Sequence, residues 1–308
     1  MAEYTEAMVP DQSGKTVLVT GANTGIGYEA ARVLAGRGAR LLLGCRSEEK
    51  AESAIDRILA LHPNADLVWV PLDLTSLESV AEAAETVRRE PRLDVLVNNA
   101  GVMIPPKTLT EDGFELQFGV NHLGHFALTG HLLDQLAKTP GARVVTVSSL
   151  AHLNGRLDFD DPHAERSYDA RKRYDMSKAA NMYFTFELAR RLAARGLDVT
   201  ALACHPGVAD TELSRTFPAW FMAVAPLFRP LFNTPAEGAL PTLMAATKPG
   251  VKPTDYFGPT MRFETARSAG PARIARHVRD EEVGRRLWEK SIEWTGVSYL
   301  TNGEGSIG

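Results

Sequence analysis

Short apolar runs alternate with longer segments of mixed polarity along most of the chain. Six of these runs are almost wholly apolar, and they cover residues 16–20, 40–45, 67–73, 95–98, 143–148 and 199–204. A strand with one solvated face alternates apolar and polar residues, whereas these runs do not. They therefore predict strands that are buried on both faces.

The segments between the runs have the three- to four-residue period of amphipathic helices. They cover residues 25–36, 47–61, 76–89, 113–138 and 174–195. Ser47 and Ser76 stand at the start of two segments, where a capping residue is favoured. A further helix is predicted after Pro235, and an amphipathic one over 281–293. Strands that alternate with helices predict an α/β fold built on one doubly wound parallel sheet, flanked by helices on both faces.

The composition narrows the classes of partner. The 308 residues are 44% hydrophobic and 23% charged, the ordinary balance of a globular protein. A formal net charge of −4 gives no long-range positive field, so we expect a small-molecule partner and no nucleic acid. The two cysteines, Cys45 and Cys204, form no disulfide framework or metal-ligand spacing, which favours a reducing, cytoplasmic location.

No membrane segment or second domain is expected. The first fifteen residues carry acids and no apolar core, so they resemble neither a signal peptide nor an anchor. The longest apolar run, 217–228, is interrupted by Pro218 and Pro226 and is shorter than the ~18 residues of a spanning helix. No repeat or linker divides the chain. We expect an N-terminal extension over 1–13, a single domain over 14–300 and a flexible tail over 301–308.

A glycine-rich turn follows the first predicted strand and opens the first predicted helix. Gly21 suits a tight turn, Gly25 lets the backbone approach a pyrophosphate, and Gly27 permits close helix packing. The free N–H groups of the helix N-terminus favour an anion at this point. The turn therefore predicts a dinucleotide site.

Seven motifs in chain order resemble those of the short-chain dehydrogenase/reductase family. The turn TGANTGIG comes first, followed by Asp73-Leu74, by the NNAG sequence at 98–101 and by Asn121 within NHLGHF. Ser148-Ser149, Tyr174 with Lys178, and Pro206-Gly207 with Thr211 complete the series. NHLGHF and Cys45-Arg46 resemble the retinol dehydrogenase-like and protochlorophyllide reductase-like branch, with a soluble bacterial-type relative expected.

The resemblance implies a Rossmann-type fold, a C-terminal substrate lid over about 209–234, and a homodimer or homotetramer formed through the helices that hold Asn121 and Tyr174. The residues that it assigns to the cofactor are Gly21, Asn23, Thr24, Gly25, Ile26, Gly27, Arg46, Asp73, Leu74, Asn99, Ala100, Gly101, Tyr174, Lys178, Pro206, Gly207, Val208 and Thr211.

The end of the second strand predicts the cofactor. An acid about 20 residues after the glycine turn would bind the ribose 2′-OH of NAD. This chain has Cys45 and then Arg46 there, so no carboxylate repels a 2′-phosphate and a guanidinium can pair with it. We expect NADP(H) rather than NAD(H).

Two pairs have the YxxxK spacing, Tyr168 with Lys172 and Tyr174 with Lys178. Tyr174 and Lys178 begin a sustained helical pattern, which puts the two side chains one turn apart on one face. The segment of Tyr168 and Lys172 is polar and is interpreted as a solvated loop. Tyr174 and Lys178 are the preferred pair. A phenol of pKa about 10 needs about 4 kcal/mol of preferential phenolate stabilisation to reach a pKa near 7, and an ammonium one turn away is one source of it.

Catalytic roles follow from the resemblance. It implies that Tyr174 exchanges a proton with the substrate oxygen, that Lys178 lowers the pKa of the phenol and holds the nicotinamide ribose, and that Ser149 hydrogen-bonds the same oxygen. Asn121 would hold a water that links Lys178 to solvent. The 25 residues from Ser149 to Tyr174 are about twice the family's usual gap, so Ser148 stays an alternative to Ser149.

Histidines stand at 122, 125 and 131, but His122 and His125 lack a nearby carboxylate or third ligand, so we expect packing and hydrogen-bonding roles and no metal. His205 is a candidate for the nicotinamide end of the site or for a structural role.

An apolar substrate is expected because the proposed lid carries Phe217, Trp220 and Phe221. The leading hypothesis is an NADP(H)-dependent oxidoreductase that interconverts a hydrophobic ketone or aldehyde and an alcohol. A carbon–carbon double-bond reductase and a non-catalytic dinucleotide-sensing protein are the alternatives.

Overall fold

A computed structural model describes residues 3–207, 233–261 and 264–301. They contain one eight-stranded sheet. In chain order the strands are β1 (Thr16–Thr20), β2 (Arg40–Cys45), β3 (Asp66–Pro71), β4 (Val95–Asn98), β5 (Ala142–Val147), β6 (Val199–Cys204), β7 (Tyr256–Met261) and β8 (Ala266–Pro271).

The sheet has the order β3-β2-β1-β4-β5-β6-β7-β8. Neighbouring strands are parallel except for the β7–β8 pair, which is antiparallel. The first six strands thus have the doubly wound order in which ligands bind beyond the carboxyl ends of the strands. This arrangement confirms the predicted fold class.

Seven helices of at least twelve residues cover the sheet in the described ranges. They are α1 (Gly25–Gly36), α2 (Glu48–Leu61), α3 (Leu77–Arg88), α4 (Gly124–Ala137), α5 (Ala170–Ala194), α6 (Pro235–Thr247) and α7 (Glu281–Thr295). One apolar core joins the sheet to α1, α2 and α6, and a second joins it to α3, α4 and α5. The two cores lie on opposite faces of the sheet, as strands with no solvated face require.

Two strands were missed by the sequence pattern, and one differs from its prediction. β7 contains Gly258 and Pro259, and β8 is the polar segment ARSAGP, so neither has a long apolar run. They form because each pairs with the other as a hairpin at the end of the sheet. β3 was expected to be buried on both faces, but only Val70 is buried, because this strand lies at the opposite edge.

The helix that carries Tyr174 and Lys178 begins earlier than expected. α5 starts at Ala170, where the Asp169 carboxylate accepts hydrogen bonds from the N–H groups of Arg171 and Lys172. Lys172 is therefore helical, and the loop predicted for it is wrong. The long segment between Ser149 and Tyr174 is joined to this helix by an ion pair: Arg173 Nη2 lies 3.0 Å from Asp161 Oδ2, and both side chains are buried.

The chain's own C-terminal helix covers α4 and α5. Trp288 of α7 is buried, stacks on Phe184 of α5 with ring centroids 5.9 Å apart, and meets Phe126 of α4 edge-on at 5.1 Å. The sequence led us to expect that a second copy would pack on these two helices. That face is occupied within one chain, so a homodimer or homotetramer would have to use another surface.

Replacing Trp288 with Ala tests how much this cover contributes. We expect the free energy of unfolding to fall by about 3–5 kcal/mol, the range for removing a large buried aromatic side chain. Urea unfolding followed by circular dichroism measures it. Glu289 is the next residue and is exposed, so Glu289→Ala is the matched control, with an expected change within about 1 kcal/mol. Equal losses in the two variants would contradict the assigned packing.

Part of the predicted N-terminal extension packs into the core. Tyr4 and Val9, within the expected N-terminal extension, are buried in the core beside α1 and α6. The tail from 302 onward and residues 209–232 of the proposed lid lie outside the described residues. None of the described helices is both long and apolar enough to cross a membrane.

Candidate active site

The glycine turn after β1 has the shape that a close-lying anion requires. Gly21 and Gly25 have φ of +68° and +57°, a region that favours glycine. A Cβ on Gly27 would collide with the carbonyl oxygen of Gly21 and come within 2.5 Å of Asn99 Nδ2. The backbone N–H groups at the start of α1 are therefore approachable, and the turn fits a dinucleotide phosphate.

A cavity of about 600 Å³ runs from this turn across the carboxyl ends of β1, β4 and β5. Its lining contains most of the residues that the sequence assigned to the cofactor: Gly21, Asn23, Thr24, Gly25, Ile26, Gly27, Arg46, Asp73, Leu74, Asn99, Ala100, Gly101, Tyr174, Lys178 and Pro206. The structure thus brings predicted residues from six separate stretches of the chain to one crevice.

The end of β1 is joined to the loop after β4. Thr20 Oγ1 accepts hydrogen bonds from the N–H groups of Asn99 and Ala100, both at 2.9 Å. The Asn99 amide donates to the Thr20 carbonyl at 2.8 Å. These bonds fix the position of the NNAG segment relative to the glycine turn.

The part of the cavity beside the carboxyl ends of β2 and β3 carries cationic side chains. Arg46 is exposed and its Nη1 lies 3.6 Å from Asp73 Oδ2. Ser47 caps α2 by accepting from the Lys50 N–H, and both Ser47 and Lys50 line the cavity. Sequence reasoning missed Lys50; its place on the first turn of a helix that follows Arg46 was the available signal.

Tyr174 and Lys178 lie one turn apart on α5, and both are buried in the cavity wall. Lys178 Nζ lies 5.8 Å from the centre of the Tyr174 ring and donates to the carbonyl of Val147 at 3.2 Å. An ammonium at this distance favours the ionised form of a phenol. The competing Tyr168 lies outside the cavity lining, and its hydroxyl donates to the Pro105 carbonyl at 2.6 Å.

Asn121 lies in a π-helical segment, Gly119–Leu123, directly before α4. Its side chain is fully buried and makes two hydrogen bonds to the loop after β4. Oδ1 accepts from the Val102 N–H at 2.8 Å, and Nδ2 donates to the Val102 carbonyl at 3.0 Å. Nδ2 also donates to Ser177 Oγ at 2.9 Å. The side chain therefore positions the loop that lines the cavity, which the sequence had not predicted.

The two serines after β5 differ in their partners. Ser148 is buried, lines the cavity, and donates from Oγ to the Lys178 carbonyl at 2.8 Å. Ser149 is half-buried and lies just beyond that lining, where its Oγ accepts from the Ala151 N–H at 3.2 Å. The Ser149 bond uses a lone pair, and the described residues offer its hydroxyl proton no acceptor, whereas the Ser148 proton is committed to the Lys178 carbonyl.

Comparison with known proteins identifies the family. Residues 15–221 match the family described as short chain dehydrogenase. The human protein named Retinol dehydrogenase 13 is 45% identical over 293 residues, which is 92% of this chain and 85% of that protein. A crystal structure of an uncharacterized protein from Mycobacterium paratuberculosis has a TM-score of 0.81 and 37% identity, covering 96% of this chain and 98% of that one.

This chain is a short-chain dehydrogenase. It belongs to the retinol dehydrogenase-like branch, as its NHLGHF and Cys45-Arg46 sequences predicted. A structure described as an NAD(P)-dependent gluconate 5-dehydrogenase from Beutenbergia cavernae, with bound NADP, is more distant, with a TM-score of 0.60 and 26% identity over 77% of this chain and 91% of that one.

His205 has a structural place in this dehydrogenase. It is fully buried outside the cavity lining, accepts from the Gly207 N–H at Nδ1, and has Nε2 3.4 Å from Glu264 Oε2. Gly207 has φ of +76°, and a Cβ there would collide with the carbonyl of Thr265. His205 thus joins the turn after β6 to the β7–β8 hairpin.

The remaining site predictions lie outside the described residues: Val208, Thr211, Phe217, Trp220 and Phe221. Five apolar residues of the cavity were missed: Leu72, Val102, Met103, Val120 and Val147. Val102 and Met103 follow the NNAG motif directly.

Proposed function

We propose that this short-chain dehydrogenase is an NADP(H)-dependent oxidoreductase that interconverts a hydrophobic ketone or aldehyde and the corresponding alcohol, with Tyr174 as general acid and base. One observation carries the proposal. Tyr174 and Lys178 lie one helical turn apart, buried in the wall of the same cavity that begins at the glycine turn.

The reduction needs a hydride at the carbonyl carbon and a proton at its oxygen. NADPH, when bound, supplies the hydride. Tyr174 would donate its phenolic proton to the oxygen, and the nearby Lys178 ammonium would stabilise the phenolate that is left. In the oxidation of an alcohol, the phenolate would take the proton back.

Ser149 and Asn121 support this chemistry in different ways. Ser149 would donate its uncommitted proton to the same substrate oxygen, which orients the carbonyl and stabilises developing negative charge. Asn121 would keep Gly101 and Val102 in place; a Cβ on Gly101 would come within 3.0 Å of Asn121 Oδ1 and 3.5 Å of Lys178 Nζ. We propose that a water near the Asn121 backbone links Lys178 to solvent.

The cationic end of the cavity supports NADP(H). Arg46 and Lys50 both line it, and the residue at the end of β2 is Cys45 instead of an acid. A guanidinium pairs with a phosphate through two parallel hydrogen bonds and an ammonium adds a point charge. The bound NADP of the Beutenbergia relative is consistent with this choice.

Replacing Arg46 with Gln tests the cofactor proposal. We expect kcat/KM for NADPH to fall about tenfold, as the loss of one charge-assisted hydrogen bond predicts, while the value for NADH changes by less than about twofold. Steady-state rates at fixed substrate measure both. Arg89→Gln removes the same charge from an exposed position outside the cavity lining and should change neither value. A wild-type enzyme with a higher kcat/KM for NADH than for NADPH would contradict the proposal.

The substrate class is proposed from the apolar lining residues Val102 and Met103 and from the relatives named retinol dehydrogenases. The test is NADPH oxidation with a panel that contains retinal and aromatic, aliphatic and steroid-like carbonyls. We expect the highest kcat/KM among the large apolar members. Turnover of small polar carbonyls alone would overturn this class.

We propose a cytoplasmic location from the state of the two cysteines. Cys45 and Cys204 are both buried free thiols, and burial raises their pKa values to about 11 and about 12. Neither is suited to a disulfide in this fold.

A further inference from the structure

One buried histidine connects the two halves of the site. His125, at the start of α4, is 1% exposed. Its Nε2 lies 2.9 Å from Thr20 Oγ1, and its Nδ1 lies 3.1 Å from the carbonyl oxygen of Asn121. The ring thus bridges the end of β1 and the π-helical segment.

Proton counting fixes the tautomer. A hydroxyl has one proton and two lone pairs, and the lone pairs of Thr20 Oγ1 already accept from the N–H groups of Asn99 and Ala100. The remaining proton points to His125 Nε2 at 2.9 Å, which is nearer than the Val97 carbonyl at 3.3 Å. A carbonyl oxygen can only accept, so Nδ1 carries the proton that reaches Asn121. The neutral ring therefore accepts at Nε2 and donates at Nδ1.

The surroundings keep the ring in this neutral form. Burial lowers the pKa of His125 to about 4, and the positive charge of Lys178 lowers it as well. A charged ring would have protons on both nitrogens and would leave the Thr20 hydroxyl without an acceptor at Nε2.

We propose that His125 is a positioning residue for the reaction under Proposed function, on which this inference rests. Its two hydrogen bonds fix the position of Thr20, and with it Asn99 and Ala100, relative to Asn121. Asn121 in turn holds Val102, and Gly101 lies against the Lys178 ammonium. A change at His125 thus alters the position of the loop that faces Tyr174 without touching the reacting atoms.

The neighbouring His122 offers a matched control. It is equally buried and lies one turn earlier, but its Nε2 is 3.0 Å from Ser291 Oγ of α7, and its ring packs against Phe118 and Phe184. It contacts the covering helix and not the cavity.

Three substitutions at His125 separate its two hydrogen bonds. Phe fills the volume and removes both; Asn keeps a donor near the Nδ1 position, and Gln keeps a polar group near the Nε2 position. We expect His125→Phe to lower kcat about 10- to 100-fold, the scale of a misplacement near 1 Å, with the NADPH Kd within about threefold. His125→Asn should recover part of that loss. His122→Phe should lower the melting temperature while kcat stays within about twofold of wild type.

The ring itself gives a readout that does not need turnover. Nitrogen-15 NMR of the histidine side chains, with His125 assigned through the His125→Phe spectrum, should show an Nδ1–H tautomer that does not titrate from pH 5 to pH 8. An Nε2–H ring, a ring that titrates near its ordinary pKa of about 6.5, or a His125→Phe enzyme with wild-type kcat would overturn the positioning role alone. A wild-type enzyme that reduces no carbonyl would overturn the proposed function, and this role with it.

Discussion

Tyr174→Phe is expected to lower kcat for carbonyl reduction by about 10²- to 10⁴-fold, the range that general acid catalysis contributes. The substitution removes one oxygen and keeps the ring that is buried in the cavity wall. The proton that the substrate oxygen needs then has no donor at this position. NADPH affinity should change by less than about threefold, because the glycine turn and the loop after β4 are unaffected. Stopped-flow rates and a fluorescence titration of NADPH measure the two quantities.

The matched control is Tyr168→Phe. Tyr168 has the same YxxxK spacing, but its hydroxyl donates to the Pro105 carbonyl and it does not line the cavity. We expect kcat within about twofold of wild type, as for a change outside the site. If Tyr168→Phe lost activity and Tyr174→Phe retained it, the choice between the two pairs would be reversed. A Tyr174→Phe enzyme that retained a third of the activity would exclude Tyr174 as the main proton donor.

Gly27→Ala is expected to weaken NADPH binding by at least about tenfold, or about 1.4 kcal/mol. The added Cβ would collide with the Gly21 carbonyl and lie 2.5 Å from Asn99 Nδ2. Relief of that overlap must move the glycine turn or break the hydrogen bond from Asn99 to Thr20. Either movement displaces the backbone N–H groups that would hold the pyrophosphate.

Gly284→Ala is the control for Gly27→Ala. Gly284 lies within α7, and a Cβ there would have its nearest neighbour at 3.8 Å, an ordinary van der Waals contact. NADPH affinity should be unchanged, and stability should rise slightly because Ala favours a helix over Gly. Circular dichroism separates a binding defect from misfolding. A folded Gly27→Ala protein that bound NADPH as tightly as wild type would contradict the assigned role of the turn.

The fold was predictable wherever burial alone determined it. The predicted limits of β1, β2, β4 and β6 coincide with the observed ones. These strands are central and nearly all apolar, so a single sequence carries the signal. β7 and β8 form through mutual pairing at the edge, a non-local cause that leaves no apolar run in either strand.

The site was predictable where a motif has a fixed spacing. The spacing of Tyr174 and Lys178 determines that they share a helix face, and the glycine offsets determine the turn. The side-chain partners of Asn121 and His125 were not predictable. They lie up to 105 residues away in sequence, and the fold alone brings them together.

The covering of α4 and α5 by α7 shows another limit of sequence patterns. α5 is buried on nearly every side although its sequence is rich in charged and polar residues, so the sequence pattern does not show whether a partner subunit or a further helix of the same chain covers it. In the structure a helix of the same chain covers it, because Trp288 of α7 packs on Phe126 of α4 and Phe184 of α5.

The central claim is that hydride reaches a carbonyl carbon while Tyr174 protonates the oxygen. The most direct test uses an α,β-unsaturated aldehyde and NADPH that carries deuterium at the transferred position. The measurement is the position of the deuterium in the product. Carbonyl reduction assisted by Tyr174 predicts an allylic alcohol with one deuterium on the carbinol carbon in wild type, and almost none of it from Tyr174→Phe. A saturated aldehyde with deuterium on the β-carbon would contradict the account and indicate carbon–carbon double-bond reduction.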